Sequence, residues 1–336
     1  MTDRRDPVEA ASDGSQDLYD VATWEERTSL DGLATAIYGL GKVSLRWVTI
    51  LLGLALLFVV GGFNAISDPA VGALTVLSAI PALGLAAYVW YSDATTGEPL
   101  PLLVGTFLLG VLTANFAAVI NGYGQWLFGG LGGLGTILFF YLVVGPVEET
   151  VKLLAVRLYA YRKSSFNAVI DGAVYGAMAG LGFATIENAL YITRNLDGAT
   201  PELGLGIIGA GGGITAIRAL AGPGHVVYSA FAGYYLGLAK FNPENAGPIV
   251  VKGLLIAAFI HATYNSLAGI GSGVIALIPG VPDGIVSFFL FVLVYQGFFG
   301  LILLRKFRRY RVAYDRAHES DARDEATLTA EATEFE

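Results

Sequence analysis

The chain contains no cysteine among its 336 residues. It therefore forms no disulfide, and it has neither a thiolate metal site nor a thiol nucleophile. Charged residues are also scarce, at 14%, whereas 54% of the residues are hydrophobic and the mean hydropathy is +0.61. This composition is typical of a membrane protein, and it indicates no nucleic-acid partner.

Apolar runs of about 20 residues recur along the chain, each long enough to cross a bilayer as a helix. We expect an all-α polytopic membrane protein with about eight transmembrane helices and one re-entrant or interfacial segment at residues 203–220. A ninth span would place the two termini on opposite sides. Basic residues before the first span and at residues 305–311 predict that both termini are cytoplasmic, at the cell membrane. Gly172, Gly176 and Gly180 predict a close-packing helix face.

Charge divides the chain into four regions. Residues 1–43 are expected to form an acidic, largely disordered cytoplasmic tail, and residues 305–336 a second tail that is basic and then acidic. Residues 44–130 form a three-helix membrane region with few titratable groups. Residues 131–304 hold the polar residues that packing does not explain, and we assign them as the catalytic membrane domain.

The most unusual stretch places Glu148, Glu149 and Lys152 inside an apolar run. An ionisable side chain near the middle of a bilayer costs about 2.5–3.5 kcal/mol on insertion scales, so it indicates a functional site. Helix geometry pairs Glu148 with Lys152 at i,i+4 and leaves Glu149 freer. The Gly-Pro pair just before these acids predicts a break or kink in the helix. We therefore expect a polar cavity within the membrane.

Three further membrane segments carry polar groups. Glu187 and Asn188 are adjacent on the fifth helix, His225 begins the sixth, and His261 shares a face of the seventh with Asn265. Glutamates and histidines together suit a site for a divalent metal such as zinc. The same residue types permit a metal-free route, in which a glutamate activates water and a histidine with an asparagine stabilises the oxyanion. Both routes are hydrolysis.

Taken in order, these elements resemble the PrsW-type intramembrane metalloprotease family, a distant relative of the CAAX prenyl endopeptidases and Abi proteases. The family's motifs look like Glu-Glu-x-x-Lys, here at residues 148–152, and Phe-x-x-x-Glu-Asn, here at residues 183–188, followed by two separate helix histidines. The resemblance covers residues 135–270. In the prenyl endopeptidases the second motif ends in histidine, so the Glu-Asn pair favours the PrsW branch.

The resemblance implies an intramembrane endopeptidase that hydrolyses a peptide bond of a membrane protein or membrane peptide within the lipid bilayer. The candidate catalytic residues are Glu148, Glu149, Lys152, Glu187, Asn188 and Asn265. The candidate ligands of a divalent metal, expected to be zinc, are His225, His261, Glu149 and Glu187. One of the two adjacent glutamates, Glu148 or Glu149, is expected to activate the water, and the sequence does not decide between them.

Two other functions would use the same residues. A proton- or ion-coupled transporter or channel would use the buried acids as a relay, and it predicts broken helices repeated in two halves of the chain. The sequence shows no such symmetry, because the polar groups are confined to the second half. A non-catalytic membrane scaffold has no need of the complete motif set that the chain retains.

Overall fold

The computed structural model describes residues 15, 17–19, 25–93, 95, 97–196 and 210–333, and these residues are mostly helical, as expected for an all-α polytopic membrane protein. In chain order the helices are α1 (Ser29–Val59), α2 (Gly62–Ser67), α3 (Pro69–Tyr91), α4 (Leu100–Phe128), α5 (Gly132–Phe139), α6 (Gly145–Leu158), α7 (Val169–Leu196), α8 (Ala210–Lys240), α9 (Ala246–Ala276) and α10 (Ile285–Thr333). The described residues up to Leu52 form one compact unit, and those from Gly53 onward form a second.

In the first unit, reciprocal hydrogen bonds fix the start of α1. The backbone N–H of Thr28 donates to the Asp31 carboxylate at 2.7 Å, and the Asp31 N–H donates to Thr28 Oγ1 at 3.2 Å. This is the capping-box arrangement that satisfies the free N–H groups of a helix terminus. Hydrogen bonds from the Tyr19 hydroxyl and from Thr28 lower the pKa of the Asp31 carboxyl.

Within the described residues, five segments are long and apolar enough to cross a membrane: Pro69–Tyr91, Leu100–Arg162, Val169–Leu196, Pro243–Ala276 and Ile285–Arg316. The second of these is a hairpin. Gly105 of α4 lies against Tyr159, and Gly124 lies against Phe139 of α5, so the chain runs back along itself after α4. The protein is therefore a multi-pass membrane protein, and the expected number of about eight crossings stays a prediction.

Helix α7 lies at the centre of the second unit. In its most apolar stretch 83% of the residues are buried, against 22–39% in the other four segments. A Cβ added at Gly172, Gly176 or Gly180 would lie within 2.4 Å of a backbone carbonyl oxygen of α8. The predicted close-packing face is thus present, as small residues in membrane helices allow. It holds the polar residues of α7 next to those of α8.

A π-helical turn precedes the paired acids, where we expected a break or kink. Residues Phe140–Val144 form a π-helical turn between α5 and α6, and Pro146 lies in the first turn of α6, where a missing N–H costs least. Turns of this kind are frequent at functional sites. A Cβ at Gly145 would lie 2.6 Å from the Ala258 carbonyl oxygen. Helix α6 therefore approaches α9 closely just before the acids.

Residues 210–220 do not form a separate re-entrant segment. Helix α8 is continuous from Ala210 to Lys240 and passes through Pro223, so the span expected to begin at His225 is the second half of a longer helix. Gln296 of α10 donates to the Leu220 carbonyl at 3.4 Å beside the proline. Contacts of this kind from neighbouring helices let membrane helices tolerate proline. Residues 203–209 of the predicted segment lie outside the described residues.

Two helices reach into the regions that we assign as tails. Helix α1 begins at Ser29, inside the first tail, and α10 continues through the second tail to Thr333. The second tail is rich in alanine, arginine and glutamate, which have high helix propensity. The expected disorder of the two tails stays a prediction.

Candidate active site

Four helices contribute to one buried polar cluster. The residues are Glu148, Glu149 and Lys152 of α6, Glu187 and Asn188 of α7, Arg218 and His225 of α8, and His261 of α9. A cavity of about 800 Å³ opens beside this cluster, and its wall includes Glu148, Glu187, His225, His261 and Asn265. The structure therefore brings together side chains that lie more than 100 residues apart in the sequence.

Lys152 bonds to Glu149 and not to Glu148. Its Nζ donates to Glu149 Oε1 at 2.7 Å, whereas Glu148 Oε2 lies 3.9 Å away. The same Nζ lies 3.0 Å from His225 Nδ1 and 4.2 Å from the centre of the Phe183 ring. The predicted pairing of Lys152 with Glu148 is present as the longer of two ion pairs, and the prediction that Glu149 is the freer glutamate was wrong. Helix spacing allows Lys152 to pair with a glutamate at i,i+3 or at i,i+4. The contacts that Lys152 makes with α7 and α8 accompany the i,i+3 pairing with Glu149.

Glu149 is fully buried and lies outside the cavity wall. Its carboxylate accepts from Lys152, lies 2.8 Å from His261 Nδ1 and accepts from Ser229 Oγ at 3.4 Å. A carboxylate on the second nitrogen of a histidine fixes the orientation of the ring. Glu149 therefore lies where it can orient His261, and its predicted roles as metal ligand and water-activating base stay predictions.

Glu148 faces the cavity instead. Asn121 donates to its Oε1 at 2.9 Å, while its buried Oε2 has no hydrogen-bond partner among the described residues. Glu148, His225 and His261 offer three ligand atoms that all lie within 4.8 Å of one another. Two histidines and a glutamate form a common donor set of catalytic zinc sites. The unsatisfied oxygen and this donor set both fit a divalent metal.

Aromatic rings hold both imidazoles. His225 stacks on Phe183 with ring centroids 5.4 Å apart, and His261 stacks on Tyr228 at 5.1 Å. Phe183 begins the Phe-x-x-x-Glu-Asn motif and lies one helical turn before Glu187. The aromatic residue of that motif thus supports a histidine on a different helix.

Glu187 is held by an arginine at the edge of the cavity. Arg218 pairs with Glu187 Oε2, and its Nε donates to Asn188 Oδ1 at 2.8 Å. Asn188 in turn donates to Ser78 Oγ at 3.0 Å, and this bond fixes the amide that accepts from Arg218. Asn188 does not line the cavity. The Glu187 side chain stays 20% exposed, and its Oε2 lies 3.0 Å from His225 Nε2. Glu187 therefore lies beside the potential metal ligands.

Five contributors to the site were not among the predicted site residues: Ser78, Asn121, Arg218, Tyr228 and Ser229. Each is a polar side chain on a largely apolar helix, and this was the feature of the sequence that could have indicated them. The sequence does not show which of many such residues face the glutamates. Asn265 was predicted, and it lines the cavity one turn after His261.

The fold and the site define a class of protein: a polytopic membrane enzyme whose buried glutamates and histidines suit hydrolysis within the membrane. The family profile described as PrsW family intramembrane metalloprotease matches residues 98–297. The chain belongs to this family, and it is an intramembrane endopeptidase rather than a transporter or a scaffold.

Several curated proteins named protease PrsW are similar to the chain. The one from Halalkalibacterium halodurans is 27% identical over 188 residues, which cover 56% of this chain and 79% of the relative. The one from Geobacillus kaustophilus is 30% identical over 190 residues, or 56% and 76% of the two chains. The one from Bacillus subtilis is 29% identical over 189 residues, or 55% and 78%. No solved structure matches the chain.

Proposed function

We propose that the peptide bond is cut in the cavity between α6, α7, α8 and α9, where Glu148, His225 and His261 hold a zinc ion. The observation that carries this proposal is the convergence of their three ligand atoms on the cavity wall, together with the unsatisfied Glu148 oxygen. An ion at this position supplies Lewis acidity and lowers the pKa of a bound water to about 7.

Glu187 is the proton acceptor in this proposal. Its carboxylate lies 3.0 Å from His225 and remains partly exposed to the cavity, so a water there is within its reach. Glu187 Oε2 takes the proton of the attacking water and then returns it to the leaving amide nitrogen, the usual work of a general base and acid. The pairing with Arg218 fixes the carboxylate at the edge of the cavity.

Asn265 is the proposed donor to the oxyanion. It lies on the cavity wall one helical turn after His261, so its amide faces the same space as the histidine. Removal of one donor of this kind typically costs about 2.7–4 kcal/mol of transition-state stabilisation.

The catalytic region extends beyond residues 131–304. Asn121 of α4 donates to Glu148, and the family match begins at residue 98. We place this region in the cell membrane with both termini cytoplasmic, since the basic residues 305–311 follow the last apolar stretch. The substrate is a membrane-embedded protein or peptide.

Cleavage by the full chain in liposomes tests this function, with end-labelled single-span membrane peptides as probes. Wild-type protein is expected to cut at least one probe, to lose this activity with a chelator and to regain it with Zn²⁺. His225→Ala is expected to be inactive because a ligand is lost, whereas His318→Ala, outside the family match, keeps full activity. Equal activity of these two variants overturns the assigned site, and cleavage that resists chelation overturns the metal.

A further inference from the structure

A second acidic cluster lies outside the active site. Asp93 and Glu98 belong to the connection between α3 and α4, and Asp171 lies in the first turn of α7. Each of the three offers one carboxylate oxygen, and these oxygens all lie within 4.8 Å of one another. Glu98 is only 3% exposed and Asp171 is fully buried, so the cluster is not an ordinary solvated surface.

Two oxygens of this cluster are buried and have no hydrogen-bond donor in the described part of the chain: Glu98 Oε1 and Asp93 Oδ2. The other carboxylate oxygens are occupied. The Tyr175 hydroxyl donates to Glu98 Oε2, the backbone of Asn167 and Ala168 to Asp171 Oδ2, and Thr95 to Asp93 Oδ1 and Asp171 Oδ1. The two unsatisfied oxygens therefore lack a positively charged partner.

The positively charged side chains of the protein do not supply this partner. Among the described residues, no lysine or arginine nitrogen lies within 4.0 Å of these carboxylates. The nearby Lys240 donates instead to the carbonyl oxygens of Tyr161 at 2.9 Å and Phe166 at 2.6 Å. A shared proton can bridge one pair of carboxylates. One proton neutralises only one of the three carboxylates, so the cluster keeps two negative charges.

We propose that Asp93, Glu98 and Asp171 bind a hard divalent cation of the calcium or magnesium class. Such ions prefer oxygen ligands, carboxylates among them, and the cluster provides three carboxylates with the Thr95 hydroxyl beside them. The Tyr175 hydroxyl orients Glu98 from the outer side, as supporting hydrogen bonds do in metal sites. The cation ties the α3–α4 connection to the start of α7, the helix that carries Glu187.

Terbium, a luminescent probe for such sites, tests the proposal on the purified full chain in detergent. Tyr175 is expected to sensitise a saturable Tb³⁺ signal because its hydroxyl contacts Glu98. Ca²⁺ or Mg²⁺ should displace Tb³⁺ and so lower the signal. The ion that competes at the lower concentration is the one that the site prefers. Glu98→Gln, which keeps an acceptor for Tyr175, is expected to weaken Tb³⁺ binding by about tenfold or more.

Asp93→Asn should weaken binding similarly, and it offers a second test should Glu98→Gln fold poorly, because Asp93 lies in the connection outside the helices. The matched control is Asp283→Asn, an exposed acid away from the cluster, which should bind as wild type does. Glu148→Gln should also keep the signal, since the active site is separate. An unsaturable signal, no competition by either ion, or equal affinity in wild type and both cluster variants overturns the proposal.

Discussion

Replacing Glu187 with glutamine is expected to lower the cleavage rate about a hundred- to ten-thousand-fold, the usual contribution of a general base. Glutamine keeps the shape of the side chain and can still contact Arg218, but it cannot take a proton. Because Glu187 lies beside the proposed ligands and is not one of the three, the variant should retain its metal. Cleavage in liposomes and metal content of the same preparation measure both effects.

The matched control for this variant is Glu244→Gln. Glu244 is exposed between α8 and α9, so its replacement should change neither rate nor metal content. Wild-type cleavage by Glu187→Gln would exclude Glu187 as the proton acceptor. Loss of the metal from Glu187→Gln would make this residue a ligand and leave the acceptor role to another group.

Replacing Glu149 with glutamine is expected to destabilise the protein by about 3–5 kcal/mol, the usual cost of removing one partner of a buried ion pair. Lys152 and Glu149 have no exposed side-chain surface, and the 2.7 Å bond between them is the closest ion pair of Lys152. The variant leaves the ammonium group buried, with Glu148 3.9 Å away as the remaining carboxylate. The midpoint of thermal unfolding in detergent measures the effect.

The double variant Glu149→Gln with Lys152→Met separates stability from function. It removes both charges, so it should unfold at a higher temperature than Glu149→Gln alone. It should nevertheless cleave slowly, because the carboxylate that orients His261 is absent. A single variant as stable as wild type would show that the pair does not stabilise the protein. A double variant with wild-type cleavage would show that Glu149 does not orient His261.

Much of the fold follows from properties that the sequence shows locally. Apolar runs predict membrane helices because each must satisfy its own backbone in lipid. The glycines at positions 172, 176 and 180 predict a close helix contact because residues without a side chain let two backbones approach, and the structure has this contact. The Gly-Pro pair before the acids predicts a break or kink, and a π-helical turn is found there at Phe140–Val144.

The pairing of side chains within the site was harder to predict because other helices take part in it. Helix spacing allows Lys152 to bond to either glutamate, and its further contacts with Phe183 and His225 come from α7 and α8. Arg218 and Glu187 are separated by 31 residues, and part of the chain between them was itself assigned to the wrong element. The motifs therefore indicate which residues meet and leave open which of them bond.

The metal content of purified Glu148→Gln, measured beside wild type and His318→Ala, tests the central claim most directly. Wild type and His318→Ala should each carry about one zinc ion per chain, as expected for a catalytic site of this kind, and both should cleave. Glu148→Gln should carry no stoichiometric metal and should not cleave. An active wild-type enzyme without a divalent metal, or Glu148→Gln with its zinc retained, would contradict the assignment.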